Sequence, residues 1–179
     1  MTRVIGTCDA TDFPSILEFD EYVPISFRTY VGLLGGARYV QLGNLHTSLL
    51  ELRVPRDSMV VRSFSLTLFD RLSSSELHGN CGFDDGLPIL ELPEQTAFSG
   101  PEAAYRADIH TEFSLYIDSQ IAEIKIGDAV EFDRGLKHER VALLISQDRP
   151  VGIRMNDLTA DEIGRLSLHL DKLRSSNLF

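Results

Sequence analysis

Most of this chain alternates apolar and polar residues with period two, the mark of half-buried β-strands. Val23, Ile25, Phe27 and Thr29 fall on one side of such a run, with Pro24, Ser26, Arg28 and Tyr30 on the other. Gly35 and Gly36 end it. Residues 39–42 form a short strand closed by Gly43 and Asn44. Leu50, Leu52 and Val54 then alternate with Glu51 and Arg53, and residues 55–58 make a turn. Val60, Phe64, Leu66 and Leu68 carry the next strand, with Ser63, Ser65 and Thr67 between them. The pattern predicts a meander of antiparallel strands.

A second meander is predicted further on. Ile109, Thr111, Phe113, Leu115 and Ile117 share one face of a single run, and His110, Glu112, Ser114 and Tyr116 share the other. Ala122, Ile124 and Ile126 alternate with Glu123 and Lys125 before a turn at Gly127 and Asp128. Val130 and Phe132 follow, then Val141, Leu143 and Ile145, a turn over residues 147–150, and Val151, Ile153 and Met155. A shift of 91 positions sets Leu52 on Leu143, Val54 on Ile145, Val60 on Val151 and Phe64 on Met155, so the halves read as a degenerate repeat, although period-two alternation alone produces part of that match. Thr159 and Glu162 have capping-box spacing. Ile163, Leu166, Leu170 and Leu173 follow at helical spacing, so a C-terminal helix is predicted to pack this stripe on a sheet face of the second half. The fold class expected is α+β, mostly antiparallel β: one domain with a first half over 1–70, a connection over 71–106, and a second half with the helix over 107–179.

That connection changes the picture. Between Arg71 and Arg106 there is no Lys or Arg, but there are six carboxylates: Glu76, Asp84, Asp85, Glu91, Glu94 and Glu102. Four glycines and three prolines make it turn-rich. The whole chain has 17 Lys and Arg against 27 Asp and Glu, a net charge of −10 over 179 residues. Such a balance repels nucleic acid and anionic membrane, so neither is expected as a partner; it favours a basic partner, or simply solubility. A chain this long buries roughly two-thirds of its unfolded surface and needs no metal or disulfide staple. Cys8 and Cys81 make neither a disulfide framework nor a zinc site. No signal-peptide core and no run near the roughly 18 apolar residues of a membrane span is present, so a cytoplasmic protein is expected.

Candidate chemistry is sparse. His110 and Glu112, two apart on a strand, would emerge on one face with Tyr116 beyond them, and a carboxylate beside an imidazole can make a general base. A solvated outer face explains the same pattern. His78 and Cys81 sit in a Gly-rich loop, but the surrounding carboxylates disfavour a thiolate. Asp84, Asp85 and Gly86 lack the alternating ligands of a calcium loop. No phosphate cradle or nucleophile elbow occurs. No cofactor or metal is expected, and binding is a more natural reading than catalysis.

The stretch over residues 39–68, with Leu50, Leu52 and Val54 leading into the turn at Asp57, is similar to the strand, Asp-bearing turn and strand of small bacterial proteins encoded beside polymorphic toxins. The stretch over 149–163, ending in the capped helix start, resembles their closing strand and helix. These are immunity proteins, including those of contact-dependent growth inhibition systems. The resemblance implies a protein that binds and blocks one toxin domain, carrying no catalytic residues. Many such toxins are nucleases with basic clefts. An acidic inhibitor would be steered onto such a cleft. Asp84, Asp85, Glu91, Glu94 and Glu102 would then supply the charge, with Phe83, Leu87, Phe98 or Tyr105 as apolar anchors. Two other readings stay open: a ligand binder or enzyme using the His110, Glu112 and Tyr116 face, and a β-rich module that self-associates through edge strands.

Overall fold

The computed structural model describes residues 2–10, 12–29, 36–69, 71–79, 82–92 and 106–175, with the backbone alone at 106–107 and 173–175. It is a mostly antiparallel β protein with one C-terminal helix. Strands β2 (Ser15–Glu18), β3 (Ile25–Thr29), β4 (Ala37–Leu42), β5 (Leu49–Pro55) and β6 (Ser63–Leu68) join β10 (Arg106–Ile109) in a sheet of order β10-β4-β5-β6-β3-β2. Strands β11 (Phe113–Ile117), β12 (Ala122–Ile126), β14 (Arg134–His138), β15 (Val141–Ser146) and β16 (Arg149–Met155) join β8 (Phe83–Asp85) in a second sheet, β11-β12-β16-β15-β14-β8. Two short ribbons are the other paired strands among the described residues. Strand β1 (Arg3–Cys8) pairs antiparallel with β9 (Leu87–Glu91), and β7 (His78–Gly79) pairs parallel with β13 (Glu131–Phe132).

The two large sheets have one topology. In each, a hairpin comes first, then a three-strand meander whose last strand pairs with the second strand of the hairpin. The outermost strand in each is added parallel, β10 on β4 and β8 on β14. One inward rung of the first sheet runs Leu17, Phe27, Phe64, Leu52, Val40. Its counterpart runs Leu115, Ile124, Ile153, Leu143, Leu136. These apolar rows meet in one shared core, as period-two alternation requires when each sheet buries one face on the other. Leu52 does correspond to Leu143, at the shift of 91. However, Phe64 lies opposite Leu52, whereas Ile153, and not Met155, lies opposite Leu143. The second hairpin is two residues shorter, so no single shift aligns both halves.

Several boundaries differ from those expected. The run 109–117 is not one strand: β10 ends at Ile109 in the first sheet, β11 begins at Phe113 in the second, and residues 110–112 carry the chain between them. Alternation persists across the gap because both ends bury apolar side chains in the same core. Strand β6 starts at Ser63, and Val60 instead makes an isolated bridge to Ile89. The segment 71–106 is more than a connection, since it supplies β7, β8 and β9. Strands β1, β2 and β14 had no counterpart in the sequence reading.

Helix α1 (Ala160–Ser175) starts at the expected capping box. The Thr159 amide donates to Glu162 (2.8 Å), and the Glu162 amide to the Thr159 hydroxyl (3.3 Å). Leu166 is fully buried; Ile163 and Leu170 are partly so, and the Leu173 side chain lies outside the described residues. The helix reaches across to the first half instead of closing only the second. Arg165 donates to the Phe19 carbonyl (3.4 Å), His169 to the Asp20 carbonyl (2.6 Å), and Lys172 to Glu21 (2.6 Å). Its N-terminus is held by Arg140, whose two terminal nitrogens bind the Glu162 carboxylate at 3.0 and 2.7 Å. This bidentate pair, with the Thr159 contacts, lowers the Glu162 carboxyl to about 2. The described helix is not long and apolar enough to cross a membrane.

Candidate functional site

The acidic segment straps the outer face of the second sheet. It enters beside edge strand β11, where Leu115 donates to the Arg71 carbonyl (3.0 Å) and Ser73 donates to the Leu115 carbonyl (2.9 Å). It crosses the sheet at Leu77, pairs as β7 with β13, and reaches the opposite edge as β8. Leu77, Phe132, Ala142 and Leu144 form a second small core beneath it.

The outer face reads in two rows. One runs Ser114, Lys125, Gly152, Leu144, Gly135, Phe83; the other runs Tyr116, Glu123, Arg154, Ala142, Lys137, Asp85. The glycines of the first row make room. A Cβ on Gly152 would lie 2.8 Å from Leu77 Cδ1, and one on Gly135 would lie 2.2 Å from the Phe83 ring. Phe83 therefore lies over Gly135 and against Phe132 (ring centroids 5.9 Å), remaining 39 % exposed.

In the second row, the carboxylate of Glu123 is fully buried. It accepts from Arg154 Nε at 2.7 Å and from the Leu77 amide at 2.7 Å. Arg154 Nη2 donates to the Leu77 carbonyl (2.6 Å) and lies 3.2 Å from Glu76, while the guanidinium sits 5.4 Å from the Phe132 ring centre. Glu123 and Arg154 thus give Leu77 the N–H and C=O partners that a neighbouring strand would supply. Burial raises the Glu123 carboxyl above its ordinary range; the Leu77 and Arg154 hydrogen bonds pull it back. Partial desolvation, then the Asp118 and Glu76 carboxylates, raise the Tyr116 phenol. This network is a clamp on the strap, and the sequence reading missed it. The available signal was the unbroken apolar run Val141, Ala142, Leu143, Leu144, Ile145, which marks a strand buried on both faces.

The expected site residues are placed as follows. Phe83, Asp84 and Asp85 form the exposed edge strand β8. Adjacent strand residues face opposite ways, so Asp85 joins the outer row with Lys137, while Asp84 extends the inner rung beyond Leu136. Gly86 (φ +138) turns the chain into β9, where a side chain would strike Thr7 and the Cys8 carbonyl, so β8 is tied to the β1 ribbon. Glu91 is exposed at the end of β9, opposite Arg3. Leu87 is buried and is not an available anchor. Glu94, Glu102, Phe98, Tyr105 and Cys81 lie outside the described residues. Cys8 is a free thiol.

The expected His110, Glu112 and Tyr116 face does not form on one strand, because only Tyr116 belongs to β11. His110 is exposed, and Glu112 pairs with Arg71. The buried histidine is His138, whose Nε2 has no hydrogen-bond partner; it meets Phe27 edge-on (6.3 Å) and lines a cavity of about 30 Å³ between the sheets. Among the described residues no group of three or more His, Cys, Asp or Glu side chains could hold a metal ion. No protein-family model matches this chain, and no curated protein matches it either.

Proposed function

We propose that this protein is an immunity-type inhibitor, which binds the catalytic domain of a cognate bacterial toxin and occludes its active site, acting by stoichiometric binding and not by catalysis. The observation that carries this reading is the exposed acidic edge strand β8. Asp84 and Asp85 stand in solvent on a strand fixed by Phe83 over Gly135 on one side and by the Gly86 turn on the other. Pre-ordered charges of this kind lose little conformational freedom on binding. They would steer a basic cleft, such as that of a nuclease, towards this edge. The net charge of −10 acts in the same direction. Phe83, more than a third exposed beside the two aspartates, offers the apolar anchor. The resemblance of residues 39–68 and 149–163 to immunity proteins supports the same assignment, with the toxin and this protein meeting in the bacterial cytoplasm.

The test is a growth assay. The toxin-like C-terminal region encoded by the neighbouring open reading frame is expressed with and without this protein. Rescue by the native chain and its loss in Asp84→Lys/Asp85→Lys is the expected result. Toxicity without rescue would overturn the functional reading. Full rescue by the charge-reversed variant would keep the function but move the interface away from β8.

A further inference from the structure

His138 ends strand β14 and lies opposite Val141 across the tight turn into β15. Alternation puts its ring on the inner face with Leu136, while Lys137 joins the outer row. The residue is 6 % exposed, and its Nε2 is buried without a hydrogen-bond partner. The neighbouring carboxylate, Glu139, is engaged by the Ser15 hydroxyl. A buried polar atom without a partner is rare in a folded protein and points to a partner that the chain itself does not supply. The ring meets Phe27 edge-on, and both side chains line the cavity of about 30 Å³ between the sheets. Its walls come from both sheets and from residues 86–88, which follow β8, and every residue in them is buried. Among the described residues His138 brings the only polar side chain to these walls. Backbone groups there are already engaged: the Gly86 amide donates to the Lys137 carbonyl (2.8 Å), and the Val61 amide to the Pro88 carbonyl (2.9 Å).

We propose that this cavity is a binding site for a short-chain alcohol, a small uncharged molecule whose one hydroxyl group bonds His138 Nε2. The apolar walls exclude an ion, which would be buried without a counter-charge. A single water needs about 10–15 Å³ of such space, so a cavity of about 30 Å³ has room for about two or three heavy atoms. Water itself is a poor occupant, because a buried water needs two to four polar partners and these walls offer one side-chain atom. An alcohol needs only that one, and sets its carbons against Phe27, Leu136 and Ile153. Its hydroxyl both donates and accepts, so it suits Nε2 in either tautomer. The inference requires neither the toxin reading nor the charges of β8.

An NMR titration of the full chain, with ¹³C-labelled methyl groups and ¹⁵N-labelled histidine, tests it. The probes are ethanol and propane, which are alike in size but differ in the hydroxyl. Ligands of three heavy atoms reach a dissociation constant of about 0.5 mM at best. Ethanol should shift the methyl resonances of Leu136, Val141 and Ile153 saturably and move the His138 Nε2 resonance. Propane should shift the methyls and leave Nε2 in place. His138→Leu should weaken ethanol about tenfold more than it weakens propane. The Nε2 signal is read on the native chain and decides the matter even where the variant folds poorly. Shifts that never saturate or that centre elsewhere would overturn the proposal. So would an Nε2 resonance that ethanol leaves unmoved, or an equal loss of both probes in the variant, either of which would make the cavity a plain packing void.

Discussion

Replacing Arg154 with Met should unlock the strap and destabilise the fold well beyond an ordinary surface substitution. The guanidinium is the charge partner of Glu123, which has no solvent exposure, and it also binds the Leu77 carbonyl and stacks near Phe132. Removing one partner of a buried pair costs about 3–5 kcal/mol, because the other charge is left uncompensated. That is a large part of the about 5–15 kcal/mol that holds a domain folded. The double variant Glu123→Met/Arg154→Met removes both charges of this buried pair together. Arg154→Met already strips the Leu77 C=O of its partner, so the double variant adds only the loss of the Leu77 N–H partner, about 1–3 kcal/mol, against relief of the uncompensated Glu123 charge, about 3–5 kcal/mol. The double variant should therefore be more stable than the single. The deficit of Arg154→Met should also depend on pH. Arg154 is one of the groups that lowers the Glu123 carboxyl, so its loss raises that group further above the ordinary 4.5. A group raised in the folded state has its contribution intact below the unfolded value and loses it as pH rises through the folded value. The gap between Arg154→Met and the native chain should accordingly narrow as pH falls towards 4.5. Urea unfolding across pH measures both effects, and hydrogen exchange at the Leu77 amide reports the strap directly. A single-variant loss below about 1 kcal/mol, or a double variant less stable than the single, would refute the clamp.

Two further substitutions probe other supports, and a third serves as a control. Glu162→Gln should cost about 1.5–3 kcal/mol at pH 7 by weakening the Arg140 pair and the helix cap. Because the folded carboxyl lies at about 2 against an ordinary 4.5, its contribution is present above 4.5 and lost as pH falls towards 2; the acid limb of a stability–pH curve should flatten in the variant. Gly135→Ala places a methyl 2.2 Å from the Phe83 ring and should cost about 1–3 kcal/mol, with displaced Phe83 and Phe132 ring resonances in NMR spectra. Gly82→Ala meets nothing within 4 Å and should stay within about 0.5 kcal/mol by urea unfolding.

Period-two alternation made both meanders legible, because each sheet buries one face on the other. Leu50, Leu52 and Val54 point inward as read, and so do Phe64 and Leu66. Reading the capped helix also succeeded, since a capping box is a local signal. What alternation does not encode is which sheet a strand joins. Ile109 and Phe113 kept their phase across a change of sheet, and that made the His110 and Tyr116 pairing look continuous. Outer-face burial was hidden for a related reason. Glu123 and Lys125 read as solvated because they are charged, but the strap covers them, and only the apolar outer positions at Ala142 and Leu144 betrayed it. Acidic composition identified β8 as exposed without showing that Asp84 and Asp85 face opposite ways.

The placement of β8 and β10 has a consequence for the order of assembly. The strand that finishes the second sheet precedes, in the chain, the strand that finishes the first. During synthesis β8 emerges with its pairing partner β14 still about fifty residues away, while the first sheet waits for β10 to cover β4. Neither half can complete itself before the other has begun. Such interleaved, long-range pairing is slow to form and leaves open edges in the nascent chain. The charges on Asp84 and Asp85 would then repel other nascent copies from the unfinished β8 edge, as charged edges do in finished proteins.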